Sequence, residues 1–380
     1  MGIATSGGAA VLVDKEVSSG SVSESSAPRS RGRIYVLDGL RLLAALMVVV
    51  YHFVPREGAW SVDAKGLFPA IFTPAAYGWL GVHLFFLISG FVICMSCWGR
   101  TLGDFFTSRV IRLFPAYWFA VLTTTVVLTL TRGNGPRLPL STVLTNLTML
   151  QEPMGVDHVD GIYWTLFAEM RFYLLFAALA WWGLTYRRVL VFCWVWVVAS
   201  AIVYHADDGI LRMLVMPEYS WLFIGGMACY LMHRFGPNLL LTLLFLVCFG
   251  GVLPSLHMSW SRVPRYIGHQ LPYWPALVLL ALFFVIMALV ATDRLSWIKW
   301  RWLPYAGALT YPLYLLHQEI GRKIIHGLEP HMSPYAVLGV TIAIMLLAAW
   351  LVHRLIERPL SKKLKRGLTQ ALSQVRSASA

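Results

Sequence analysis

The hydrophobic positions of this chain come in long blocks rather than in narrow stripes. Apolar runs occupy roughly 36–54, 78–97, 110–131, 163–183, 189–204, 213–232, 238–254, 275–292, 304–320 and 335–353, separated by short polar segments. A helix rises about 1.5 Å per residue, so runs near 20 residues match a hydrocarbon layer of roughly 30 Å. The blocks predict an all-α fold, a polytopic membrane protein with about ten transmembrane helices. The stretch 140–150 is also apolar but too short to cross, and predicts a re-entrant or interfacial segment.

Composition agrees with this pattern. Of 380 residues 58% are hydrophobic and 13% are charged, against about a quarter charged in a soluble domain. Placing the N-terminus inside puts 21 of the 31 Lys and Arg on the inner side and nine on the outer, with Arg171 inside a span. Basic residues accumulate on the cytoplasmic side, so the chain is expected N-in and C-in, a multi-pass protein of the cell membrane. The net charge of +13 is then a topology signal and an attraction to anionic lipid. Spread over many short segments, it does not suit nucleic acid.

Three regions follow: a disordered cytoplasmic tail over 1–32, a membrane domain over 33–360, and a basic cytoplasmic tail over 361–380. The first tail is rich in Ser, Gly and Ala and has no apolar core of a cleaved signal peptide. Cys94, Cys97, Cys193, Cys229 and Cys248 all fall in or beside apolar blocks. They read as packing groups, since Cys94-x-x-Cys97 has no second ligand pair. Asn146-Leu147-Thr148 fits a glycosylation acceptor, a pattern too common to carry weight.

Candidate chemistry lies in the polar groups that interrupt the blocks, because ionisable groups in lipid are costly and mark function. Arg41 and His52 are eleven residues apart in the first block. That is three turns plus about 20°, so the two share a helix face about 16 Å apart along the axis. Histidine titrates near neutrality and suits general-base work; an interfacial histidine is the plainer alternative. Arg109 and Arg112, three residues apart on one face, suit phosphate oxygens, or simply anchor the third block. Glu169 and Arg171 are two apart, point to different sides, and each need a partner on another helix. Ser89-Gly90 interrupts the second block. No nucleophile elbow surrounds Ser89, and small residues favour helix contacts. Tyr314 and His317 share a face beside Pro312, which is expected to kink its helix.

In this order the segments resemble acyltransferase family 3. These integral membrane enzymes move acyl groups, often acetyl, from acyl-CoA to hydroxyls. Arg41 and His52 match the family's R-x10-H, and Arg109 and Arg112 its R-x-x-R. Phe85-Phe86-Leu87-Ile88-Ser89-Gly90-Phe91, Trp164-Thr165-Leu166-Phe167-Ala168-Glu169, Tyr311-Pro312-Leu313-Tyr314-Leu315-Leu316-His317 and Glu357-Arg358-Pro359 are similar to further family segments. His83 stands where many members carry Asp. The stretch from Gly90 to Arg100 is similar to members that acylate macrolide antibiotics.

The resemblance implies an O-acyltransferase with acetyl-CoA or another acyl-CoA as donor and no metal. The acceptor is expected to be a hydroxyl of a macrolide or a carbohydrate, with antibiotic biosynthesis or carbohydrate modification as the setting. His52 is expected to be the general base, with Glu169 orienting it or balancing an arginine. Arg41, Arg109 and Arg112 are expected to hold the CoA phosphates, and His83, Ser89, Trp164, Arg171, Tyr314 and His317 to line the acceptor side. The other partner is the lipid bilayer, no nucleic acid is expected, and a homodimer stays open. The rival reading is a multi-span transporter or permease using the intramembrane Arg, Glu and His. No clear internal repeat or pair of broken helices supports it.

Overall fold

The computed structural model describes residues 33–131, 138–206 and 208–378. The expected tail over 1–32, and Arg132 and Arg137 of the charge count, lie outside them. Among the described residues the helices of eight residues or more are α1 Tyr35–Phe53, α2 Gly81–Cys97, α3 Leu102–Thr131, α4 Leu140–Leu147, α5 Trp164–Trp182, α6 Tyr186–Val203, α7 Ser220–Phe235, α8 Leu239–Arg262, α9 Trp274–Ala291, α10 Leu303–Leu328, α11 Pro334–Val352 and α12 Arg358–Ala378. The fold is all-α, and each of the ten apolar blocks becomes a helix.

Eight helical segments are long and apolar enough to cross a membrane, and α7 and α10 are not among them. Two features set these helices apart. Helix α7 has 16 residues, and every one from Ser220 to Met232 is buried in protein. A stretch enclosed in this way need not match the bilayer. Helix α10 is 26 residues long, but Tyr314, His317, Gln318, Glu319, Arg322 and Lys323 dilute its apolar character.

Close backbone approaches set the register. A Cβ on Gly90 of α2 would meet the Phe223 carbonyl oxygen of α7 at 2.0 Å, and one on Gly226 would meet the Leu87 oxygen at 2.0 Å. Ser89-Gly90 therefore sits at a small-residue helix contact. Helix α10 approaches α1 in the same way: a Cβ on Gly307 would lie 2.5 Å from Asp38 Oδ1, and one on Gly321 would lie 2.3 Å from the Phe53 ring. Phe53 follows His52 and Gly321 lies one helical turn after His317, so this contact brings the two histidines together. Helix α10 runs unbroken through Pro312.

The short apolar stretch at 140–150 forms α4, which ends at Leu147. Asn146 is fully buried. Its amide donates to the carbonyls of Thr142 and Asp157 and accepts from Val159 N–H, so it is not available for glycosylation. All five cysteines are free and buried. Within the basic stretch after 360 the chain is helical, since α12 runs to Ala378. A π-helical turn over His353–Glu357 leads into it. There His353 Nδ1 donates to Glu357 Oε2 (2.7 Å) and Arg358 Nε donates to His353 Nε2 (3.1 Å). Ser361 then donates to the Ile111 carbonyl at 3.1 Å. Ser361, two residues past the Glu357-Arg358-Pro359 motif, thus ties α12 to the basic turn of α3.

Candidate active site

Two cavities lie against α1, one at each end of the Arg41–His52 face. Arg41, Arg109 and Arg112 line the first, a slot of about 80 Å³ that also takes in Ser89, Glu169 and Tyr173. His52, His83 and Trp164 line the second, of about 350 Å³. Val82 and Tyr314 belong to the walls of both. The single step between cavities is therefore side-chain thick.

In the arginine cavity the basic groups are held from behind. Asp38, buried on α1, takes Arg33 Nε at 2.7 Å and lies 3.9 Å from Arg41. Arg109 lies over the Tyr173 ring at 5.7 Å. Neither Arg109 nor Arg112 forms an ion pair among the described residues, which leaves both forks for an anion. Glu169 accepts from Ser89 Oγ at 2.9 Å and from the Tyr173 hydroxyl. It serves hydroxyls in this cavity and does not touch His52, so the geometry gives it no orienting role there. The reason is depth: Glu169 lies at the arginine end of the bundle, whereas α5 meets the histidine cavity at Trp164. Ser89 is held in turn by a carboxylate.

In the histidine cavity the hydrogen bonds determine which nitrogen holds the proton. His317 Nδ1 lies 2.7 Å from the Tyr314 carbonyl. A carbonyl only accepts, so Nδ1 carries the hydrogen and His317 Nε2 of the neutral ring is an acceptor. His317 Nε2 is 3.1 Å from His52 Nδ1, which is also 2.9 Å from the Val48 carbonyl. His52 Nδ1 therefore donates to both, and its lone pair is on Nε2, the nitrogen without a protein partner. His317 is completely buried and lines neither cavity. It contacts His52, where an acceptor-lining role was expected.

Tyr314 closes the wall between the cavities. The Tyr314 hydroxyl and Thr165 Oγ1 lie 2.7 Å apart, and both also reach the Ile162 carbonyl, at 3.3 and 3.0 Å. Arg171 lines neither cavity. It donates to the Met213 carbonyl at 3.0 Å, lies 4.0 Å from Glu152 and covers the Phe167 ring at 4.6 Å. Glu169 and Arg171 thus do face different sides. Next to the cavity residues Gly161 and Ile162, buried Asp160 accepts from the N–H groups of Ile162 and Glu319. Burial, then the neighbouring Glu319 carboxylate, pushes Asp160 up to about 7.

Sequence reasoning missed Asp38 and Tyr173. Both carried a helical signal, Asp38 three residues before Arg41 and Tyr173 four after Glu169. It also missed the role of Thr165, which depends on a contact between α5 and α10 that no local spacing encodes.

The helical bundle thus holds a basic slot and a histidine cavity that share part of their walls. The chain belongs to the acyltransferase 3 family: the family's acyltransferase domain matches residues 34–354. It is therefore a multi-pass membrane enzyme that transfers acyl groups. No curated protein and no solved structure matches it.

Proposed function

We propose that this enzyme moves an acyl group, acetyl in the simplest case, from acyl-CoA to a hydroxyl, with His52 as general base. The observation that carries the proposal is the shared wall. Arg41, Arg109 and Arg112 face one cavity, His52 faces the other, and Val82 and Tyr314 border both. With the N-terminus inside, the arginine cavity opens toward the cytoplasm, where acyl-CoA is found. The guanidinium groups take the CoA phosphates. The acyl thioester reaches the histidine side when Tyr314 gives way, because a slot of about 80 Å³ admits only the narrow end of the donor.

The step is direct. The acceptor oxygen attacks the thioester carbonyl as His52 Nε2 takes its proton. The tetrahedral intermediate collapses, the C–S bond breaks, and the thiolate recovers the proton from His52, leaving ester and free CoA. His317 and the Val48 carbonyl hold the Nδ1 proton and stabilise the imidazolium formed in between. A carbohydrate or macrolide hydroxyl suits this chemistry equally. CoA release by the purified protein, with acetyl-CoA and a panel of hydroxyl acceptors, tests the proposal. Release should require an acceptor and vanish in His52→Ala; full turnover without His52 would refute it. Acceptor transport into vesicles with no CoA release would favour the permease.

A further inference from the structure

The histidine cavity has an uneven charge. Its lining includes Arg56 and Arg262 together with His52 and His83, and no carboxylate. Of the acids nearby, Glu57 opens with Arg56 onto a neighbouring cavity, and three others are already engaged. Asp160 accepts two backbone N–H groups, Glu319 pairs with Arg322 at 2.5 Å, and Glu218 pairs with Arg212. The two arginines are not engaged in this way. Arg56 lies over the Tyr266 ring at 4.2 Å, and neither Arg56 nor Arg262 forms an ion pair among the described residues. Two further polar groups of the lining are unsatisfied: His83 Nδ1 and Trp79 Nε1 are buried without a hydrogen-bond partner. Guanidinium groups over low-dielectric aromatic walls attract an anion and repel an amine. A cavity of about 350 Å³ is at the small end for ligand sites, so it takes a sugar-sized unit rather than a whole macrocycle.

From this lining, and resting on the acyl-transfer reading above, we infer that the acceptor is a hydroxylated molecule bearing an acidic group, a carboxylate or a phosphate, near the hydroxyl that is acylated. Arg262 and Arg56 bind the acid, the aromatic walls take the ring, and His52 meets the hydroxyl. An acceptor whose nearest charge is an amine is disfavoured at the same site.

One glycoside scaffold tests this in four forms: uronic acid, sugar phosphate, neutral hexose and amino sugar. Protein in nanodiscs is given acetyl-CoA, and CoA release is followed for each. The acidic forms should show kcat/KM at least tenfold above the neutral and amino forms, and their ranking tells carboxylate from phosphate. Arg262→Glu should lower the acidic forms tenfold or more and raise the amino sugar. Equal or better turnover of neutral or amino forms overturns the inference, as does a loss in Arg262→Glu that is the same for all four. Thermal-shift titration with the same four compounds needs no turnover. Selective binding of acids, weakened by Arg262→Glu, upholds the charge inference even where CoA release is absent and only acyl transfer has failed. Binding without preference for acids overturns it.

Discussion

His317 is the sharpest test of the mechanism because it touches the base and nothing that reacts. Its Nε2 is one of two acceptors for the His52 Nδ1 proton, the other being the Val48 carbonyl. Replacing His317 by Leu removes the first and leaves the second, so the tautomer survives and the support for the imidazolium is reduced. A hydrogen bond to a charged group contributes roughly 1.5–3 kcal/mol. If that interaction exists fully only in the transition state, kcat falls about 10- to 150-fold at 1.36 kcal/mol per decade. The KM for acyl-CoA should stay put, because His317 lines neither cavity. His317→Gln returns an acceptor oxygen and should recover part of the loss. Steady-state CoA release against acyl-CoA and acceptor separates kcat from KM. A kcat within twofold in His317→Leu, or a loss that appears wholly in KM, would refute this supporting role of His317.

Other predictions follow from the same geometry. Arg112→Ala should raise the KM for acyl-CoA by about 10- to 100-fold while kcat changes little, since it removes a phosphate partner worth roughly 1.5–3 kcal/mol; competition with free CoA checks it. Glu169→Ala strips the acceptor from Ser89 and Tyr173 and should lower Tm more than Glu169→Gln, which keeps an acceptor oxygen. Asp160 titrates near 7 when folded against an ordinary 3.8, so folding favours its protonated form. Its contribution is full below about 4 and is lost as pH rises to about 7. The wild-type minus Asp160→Asn difference in Tm should therefore decline across that window. Gly226→Ala should destabilise by about 1–3 kcal/mol because the new Cβ meets the Leu87 oxygen at 2.0 Å. Gly250→Ala, with nothing within 4 Å, should be neutral or stabilising by thermal melting.

The linear sequence determined whatever depends on spacing along one helix. Block length predicted the helices, because hydrocarbon thickness translates directly into residue count. The 3.6-residue period placed Arg41 and His52 on one face, and both line cavities. The same period separated Glu169 from Arg171. Tertiary structure decided which helix each polar group would meet. His317 could be placed beside Tyr314 from sequence, but its place behind His52 depends on Gly321 admitting Phe53. Glu169 went to Ser89 and Tyr173 rather than to His52 because packing of α5 on α2 sets its depth. That α7 is enclosed by its neighbours from Ser220 to Met232 was equally a tertiary matter. The division into two cavities rests on Val82, Thr165 and Tyr314, three residues from three helices that close contact alone brings together. Periodicity acts within an element, whereas a site between elements is set by the side chains that fill the space separating them.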